Sequence, residues 1–170
     1  MSPVEAEGQV VVFSVLGEDY ALPITSVREI LRYTPPRATA TASGLIRGMI
    51  NLRDRLLPIV DLSPVLGGQL EIGPGSRILV VEASSGMLGV VVDSVGGIVR
   101  LSADRVAPLP AAANRELGEA IAAVDDGLIV LIDPERIAVA AGLTTPARRT
   151  RRRAAGGSRE SKAAPSDPQR

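Results

Sequence analysis

The apolar residues of this chain fall in short runs, each closed by glycine or by charged side chains. Val10 to Leu16 stops at Gly17-Glu18-Asp19, and Tyr20 to Ile24 follows. Ile46 to Leu52 and Leu56 to Leu62 flank Arg53-Asp54-Arg55, and Arg77 to Ala83 and Leu88 to Val95 flank Ser84-Ser85-Gly86. Leu128 to Ile132 comes after Asp125-Asp126-Gly127. Short apolar runs separated by polar turns read as strands joined by hairpins. At 170 residues the chain holds one ordinary domain or two small ones. The expectation is an all-β fold of small barrels or a sandwich.

The core of such a fold must be aliphatic. The chain has 19 Val, 12 Ile and 18 Leu, against three aromatics, Phe13, Tyr20 and Tyr33. It has no His and no Cys. That removes histidine- and cysteine-ligated zinc, thiol nucleophiles, Ser-His-Asp triads, disulfides and haem ligation. So few aromatics also argue against stacking platforms for single-stranded nucleic acid. No apolar run approaches the roughly 18 residues of a membrane-spanning helix. Glu5 and Glu7 stand where a signal peptide would carry positive charge. A soluble cytoplasmic protein is expected.

Helical signals are few. Asp133-Pro134-Glu135 places an N-cap acid before proline at the first helical position, and predicts a helix over Pro134 to Ala141 that stops at Gly142. Asp61 to Leu66 looks like a shorter version stopped by Gly67. Residues 111–123 are alanine-rich and carry helix propensity, interrupted by Gly118.

The sequence repeats itself weakly. When the chain is slid along itself so that Val10 to Phe13 falls on Ile78 to Val81, Leu22 and Ile24 fall on Val90 and Val92. In the same alignment Val27, Ile30 and Leu31 fall on Val95, Ile98 and Val99. A slightly longer slide lays Leu56 to Asp61 on Leu128 to Asp133. Any two aliphatic strands resemble each other to some degree. The sharper reading is two similar small barrels, at about 10–75 and 76–143, with a groove between them that could take a helix of another protein.

Charge divides the chain differently. Residues 1–143 hold 11 Arg and 17 acids, a net charge of −6; residues 144–170 hold seven Arg, one Lys and two acids, a net charge of +6. The tail contains the run from Arg148 to Arg153, three prolines and no aliphatic periodicity, so a disordered basic tail is expected. Residues 1–9 are expected to be flexible as well. The arginine run could bind nucleic acid or anionic lipid electrostatically, and a small β-barrel nucleic-acid binder is the rival functional reading. The acidic body and the shortage of aromatics stand against it. No glycine-rich phosphate cradle surrounds Gly67-Gly68 or Gly96-Gly97, and no acid, base and nucleophile converge.

Gly48-Met-Ile-Asn51-Leu52-Arg53-Asp54, followed by Leu57-Pro58-Ile59-Val60-Asp61-Leu62, resembles the most characteristic motif of the CheW family, the adaptors of bacterial chemotaxis. Glu18 to Ile24 is similar to the family's opening hairpin, Val27-Arg28-Glu29-Ile30 to its Val-x-Glu-Ile, and Gly89 to Val95 to its Gly-[hydrophobic]-x-Val-Asp-x-Val. Leu128 to Asp133 is similar to the closing strand before the C-terminal helix. The resemblance spans about residues 9–140. It implies two five-stranded SH3-like barrels packed on a common core, a short C-terminal helix, and no catalysis, cofactor or metal. It implies two partners: the cytoplasmic tip of a methyl-accepting chemoreceptor, and the regulatory domain of the histidine kinase CheA. The protein would then join membrane receptor arrays through those partners. Asp54 stands where the family usually has glycine. Asp tolerates positive φ better than most residues, so the hairpin is expected to survive.

The partner-binding candidates are Val27, Glu29, Gly48, Asn51, Arg53, Ile98 and Val99. The resemblance implies that Arg53, at a hairpin end, meets a partner. Its guanidinium could equally pair within the chain with Glu29 or Asp61. Val27 and Glu29 share one face of a strand, showing an apolar and an acidic group together. Gly48 either admits a partner or marks a bulge or tight packing. Asn51 is suited to local backbone bonding. Asp61 and Asp133 look like helix caps, and Asp93 could anchor a turn or pair with an arginine. Ile98 and Val99 could serve either core or contact.

A tail that buries no apolar surface leaves stability alone. Deleting residues 144–170 is expected to leave the thermal midpoint unchanged. A drop of several degrees that salt abolishes would instead mean that the tail docks on the acidic body.

Overall fold

The first hairpin has apolar residues on both of its faces. In β1 (Gly8–Val15), Val10 and Val12 face one cluster of buried residues while Phe13 and Val15 face another. In β2 (Glu18–Pro23), Ala21 and the pair Tyr20 and Leu22 divide in the same way. A strand covered on both faces reads as a continuous apolar run rather than an alternation, which explains Val10-Val11-Val12-Phe13. Phe13 lies opposite Tyr20 across the hairpin, with ring centroids 6.1 Å apart. The structure is a computed structural model that describes residues 8–39, 44–125 and 127–143. The expected disordered tail lies outside the described residues. Gly8 and Gln9, expected in a flexible N-terminus, are strand residues paired with Leu101 and Arg100.

The remaining strands are β3 (Val27–Arg32), β4 (Ile46–Leu52), β5 (Arg55–Asp61), β6 (Arg77–Ala83), β7 (Gly86–Val92), β8 (Ser94–Leu101), β9 (Val106–Pro108), β10 (Gly118–Val124) and β11 (Gly127–Ile132); helix α1 is Pro134–Ala140. One sheet has the order β8-β1-β2-β11-β10-β9 and the other β3-β6-β7-β5-β4. The expected all-β architecture of two packed SH3-like barrels with a short C-terminal helix is therefore present, with six strands in one sheet where five were expected.

The two sheets follow one plan. The internal repeat matches β3, β6, β7, β5 and β4 of the second sheet to β8, β1, β2, β11 and β10 of the first, in the same spatial order. Each sheet has one parallel pair at the equivalent place, β5 with β7 and β2 with β11. The sixth strand also has its counterpart: β9 pairs Ala107 with Ile121, and an isolated bridge joins Arg37 to Met49. In both cases the chain leaving the outer strand crosses to the far edge and closes the barrel. The halves 10–75 and 76–143 are thus two repeats, but neither half forms a barrel by itself. Each half gives its first hairpin to the sheet of the other, because β1 pairs with β8 and β3 pairs with β6.

The two donated hairpins, β1–β2 and β6–β7, form the interior. Ile78, Leu79, Val80 and Val81 are all buried in the shared core with Leu88, Val90, Val91 and Val92. The outer strands β3 and β8 alternate exposed and half-buried residues, as one-sided strands must. A smaller cluster of Val10, Val12, Ala21, Leu101, Ala122, Ile129 and Leu131 fills the six-stranded barrel.

Two expected helices are absent. Residues 62–67 form hydrogen-bonded turns. Within the alanine-rich 111–123 stretch, Gly118–Val124 is β10, where pairing with β9 and β11 overrides helix propensity. Helix α1 ends as expected. Gly142 has φ 73°, its N–H donates to the Val139 carbonyl, and the Leu143 N–H donates to the Ala138 carbonyl.

Gly48 carries the sharpest backbone requirement. A Cβ placed there would lie 2.1 Å from the Arg37 carbonyl oxygen, and its φ is 148°. Gly48→Ala is therefore expected to destabilise the protein by at least the roughly 1–3 kcal/mol of ordinary overpacking, read as a lower denaturant midpoint.

Candidate functional site

The β4–β5 hairpin turns on Arg53 and Asp54 alone, with φ 49° and 65°. Two consecutive left-handed residues match the twist of the flanking strands. Asp54 accepts the conformation expected of it, and Arg53 accepts the same one. The turn places Arg53 beside β3, where its Nη2 donates to Oε1 of Glu29 at 2.8 Å. The Arg53 side chain remains 75% exposed, so most of its five donors face solvent. Both readings of Arg53 therefore fit one geometry: it pairs within the chain and still presents a donor fork outward.

β3 and β4 are opposite edges of the five-stranded sheet, so this ion pair spans a barrel mouth. Beside it lies a concavity of about 810 Å³ whose lining includes Leu31, Pro35, Met49, Ile50, Leu52 and Leu56. Leu56, at 71% exposure, is the most solvent-exposed large apolar residue described. Glu29 and Leu31 share a half-buried face of β3. A register shift between Val27 and Glu29 breaks the alternation, so Val27, expected on the face of Glu29, lies opposite Val81 and Glu29 opposite Val80, on different faces of the sheet. Asn51 is exposed and lines the concavity; it lies opposite Leu56 in the ladder. Gly48 is buried, and the space before it is filled by the backbone of Arg37 rather than left open. Its spacing need comes from tight packing at a bulge, where the β4–β5 register shifts between Ile46 and Gly48.

One carboxylate holds the frame of these elements, and two more fix the β1–β2 turn and the start of α1. Asp61 is buried at the end of β5. Its Oδ1 accepts from the Ser63 N–H at 2.8 Å and from the Ser63 hydroxyl at 2.6 Å, and its Oδ2 accepts from Arg47 Nε at 2.9 Å. Asp61 thus caps a turn rather than a helix. Asp93 anchors the other hairpin: its Oδ2 accepts the Leu16 N–H at 2.7 Å, and its own N–H donates to the Ser14 carbonyl. Asp133 caps α1 as expected, accepting the Glu135 N–H at 2.9 Å.

Ile98 and Val99 lie elsewhere, on β8 of the six-stranded sheet. Ile98 is 58% exposed, while Val99 packs against the smaller cluster. Both line a concavity of about 920 Å³ with Arg100, Arg105, Val124 and Asp125. The candidate residues therefore form two surfaces, one on each sheet. Sequence reasoning missed Leu56, Arg100 and Arg105. A leucine directly after the Arg53-Asp54-Arg55 turn was a readable signal, because turn flanks are solvated. Among the described residues no cluster of three or more metal-ligating side chains exists, and no helix is long and apolar enough to cross a membrane.

The model of the CheW-like domain matches residues 9–141. This chain belongs to the CheW-like domain family. It is 30% identical to the probable chemotaxis protein CheW of Rhizobium etli, over 78% of this chain and 88% of that one. It is 35% identical to the protein PilI of Pseudomonas aeruginosa, over 59% of each chain. The crystal structure of the scaffolding protein TtCheW from Thermoanaerobacter tengcongensis superposes with a TM-score of 0.69 and 30% identity, covering 74% of this chain and 88% of that one. CheW-like membership favours the adaptor expectation over the nucleic-acid rival.

The Arg47–Asp61 and Arg53–Glu29 pairs should differ in their contribution to stability. Exposed pairs contribute at most about 1 kcal/mol, and breaking a fully buried one costs about 3–5 kcal/mol. The Arg47 side chain is 46% exposed and that of Asp61 3%, so Arg47→Ala should fall between these limits. Arg53→Ala should stay within about 1 kcal/mol of the unmodified protein. Paired denaturant titrations check the ranking; a larger loss for Arg53→Ala would make its role structural.

Proposed function

We propose that this protein is a non-enzymatic adaptor that couples chemoreceptors to the histidine kinase CheA. The single observation that carries this reading is a pair of exposed surfaces on different barrels: Arg53 with Glu29 and Leu56 on one, Ile98 with Arg100 on the other. One surface serves the cytoplasmic tip of a methyl-accepting receptor, and the other serves the regulatory domain of CheA. Two surfaces on one chain let a single small protein hold receptor and kinase side by side. Each has an exposed apolar residue beside an arginine, the composition that anchors protein interfaces. Gly48 and Asn51 shape the first surface, and Val99 seats Ile98 from below. The protein works in the cytoplasm and reaches the membrane array through these partners.

The coupling is tested with purified receptor tip, kinase and this protein. Kinase autophosphorylation should rise only in the three-component mixture. Arg53→Ala should weaken one binary affinity and Ile98→Asp the other. Losing a charge-assisted interface contact costs about 2–5 kcal/mol, or roughly 30-fold or more in affinity. Unchanged affinities for both partners in both variants would overturn the assignment, and phosphotransfer by the isolated protein would overturn the adaptor reading itself.

A further inference from the structure

Helix α1 is short, yet its first two charged side chains reach in opposite directions. Both carboxylate oxygens of Glu135 are engaged by Ser84, in the β6–β7 turn of the five-stranded sheet: the Ser84 N–H donates to Oε1 at 2.5 Å and the hydroxyl to Oε2 at 2.7 Å. The next residue, Arg136, donates from Nη1 to the Arg115 carbonyl at 2.7 Å and to the Gly118 carbonyl at 2.9 Å, where the chain enters β10 of the six-stranded sheet. A third link lies alongside. Asn114 donates from Nδ2 to the Val65 carbonyl at 2.8 Å, joining the approach to β10 to the turn after β5. Beneath these bonds Ile137, Ala138 and Ala141 are buried in the shared core. Neither Glu135 nor Arg136 lines either of the partner surfaces described above.

We propose that Glu135 and Arg136 are positioning residues: they strap the two barrels together, and so set how strongly the two partner surfaces feel each other. This rests on the adaptor reading. The bonds are charge-assisted and come from adjacent residues on one helical turn, so rotation of one barrel against the other must break at least one of them. A partner can bias the affinity of the other surface only through an element whose arrangement both surfaces share. The strap is such an element. Without it each barrel would bind its own partner undiminished, and the message between them would fade.

The test uses the full chain, with the variants Glu135→Gln and Arg136→Gln and the milder Ser84→Ala. Because the chain has no cysteine, Arg55→Cys and Ala123→Cys place one spin label on each sheet, and pulsed electron resonance reads the distance between them in the free protein. The expected result is a broadened distance distribution in the strap variants. The affinity of each partner alone should stay unchanged. The factor by which one partner alters the affinity of the other, about 5–150-fold for typical coupled sites, should fall towards one. Arg136→Lys, which keeps a cationic donor, should retain part of the coupling. An unchanged distance distribution overturns the proposal, and so does a broadened one with coupling intact. If the unmodified protein binds neither partner, the adaptor reading fails and the coupling claim falls with it. The distance distribution still decides whether the strap holds the barrels.

Discussion

Two strand hairpins buried on both faces organise this molecule. β1–β2 and β6–β7 contribute Phe13, Val15, Tyr20 and Leu22 from one side and Ile78, Leu79, Val80, Val81, Leu88, Val90, Val91 and Val92 from the other to a single core. A strand covered on one face can slip by two positions and keep its pattern. A strand covered on both faces loses packing on either side when it slips, so its register is pinned. Everything else hangs from these hairpins: the outer strands β3 and β8 pair with them, and the parallel strands β5 and β11 close against them. Gly89 shows how tightly the layer is filled, since a Cβ there would meet Ile59 at 2.7 Å and Ile78 at 2.8 Å.

That rigidity matters for what the surface can do. The candidate partner residues sit on the thin parts of each barrel, the hairpin tip at Arg53 and the outer strand at Ile98, while the thick aliphatic layer lies between them. The backbone under these candidate side chains is tightly constrained. Arg53 is fixed by a turn with two left-handed residues, and the adjacent β4 by Gly48 beneath Arg37. Asp61, Ser63 and Arg47 then tie the end of β5 back to β4.

Much of the candidate site was legible in residue types. The turn at Arg53-Asp54 and the cap at Asp133 follow from local chemistry: a short acid binds a nearby N–H group, and a two-residue turn needs positive φ. The face expected to join Val27 to Glu29 is broken by a bulge that strand alternation does not reveal. The Glu29–Arg53 pairing was only one of two possible ion pairs, because both acids lay in apolar surroundings and neither sequence distance nor charge ranks them. The reason for Gly48 was hidden as well. The atom that forbids a side chain there is the backbone oxygen of Arg37, on the far side of a loop. Residues 111–123 misled for a different cause: alanine favours helix locally, and Gly118–Val124 is a strand because two neighbouring edges stood ready to pair with it.

The sequence by itself determined the strands β1, β2, β4 to β7 and β11 with their turns, the α1 cap and stop, and the internal repeat that lays Val10 on Ile78 and Leu56 on Leu128. It could not determine that the two repeats exchange their first hairpins. Each repeat contains strands that are locally equivalent, and an open strand edge offers the same N–H and C=O row to either candidate. The choice belongs to packing. With the hairpins exchanged, β1–β2 and β6–β7 are each covered on both faces by apolar partners, and the continuous valine and leucine runs leave no apolar face in water. That preference is a sum over contacts between residues far apart in the chain, so only the tertiary structure decides it.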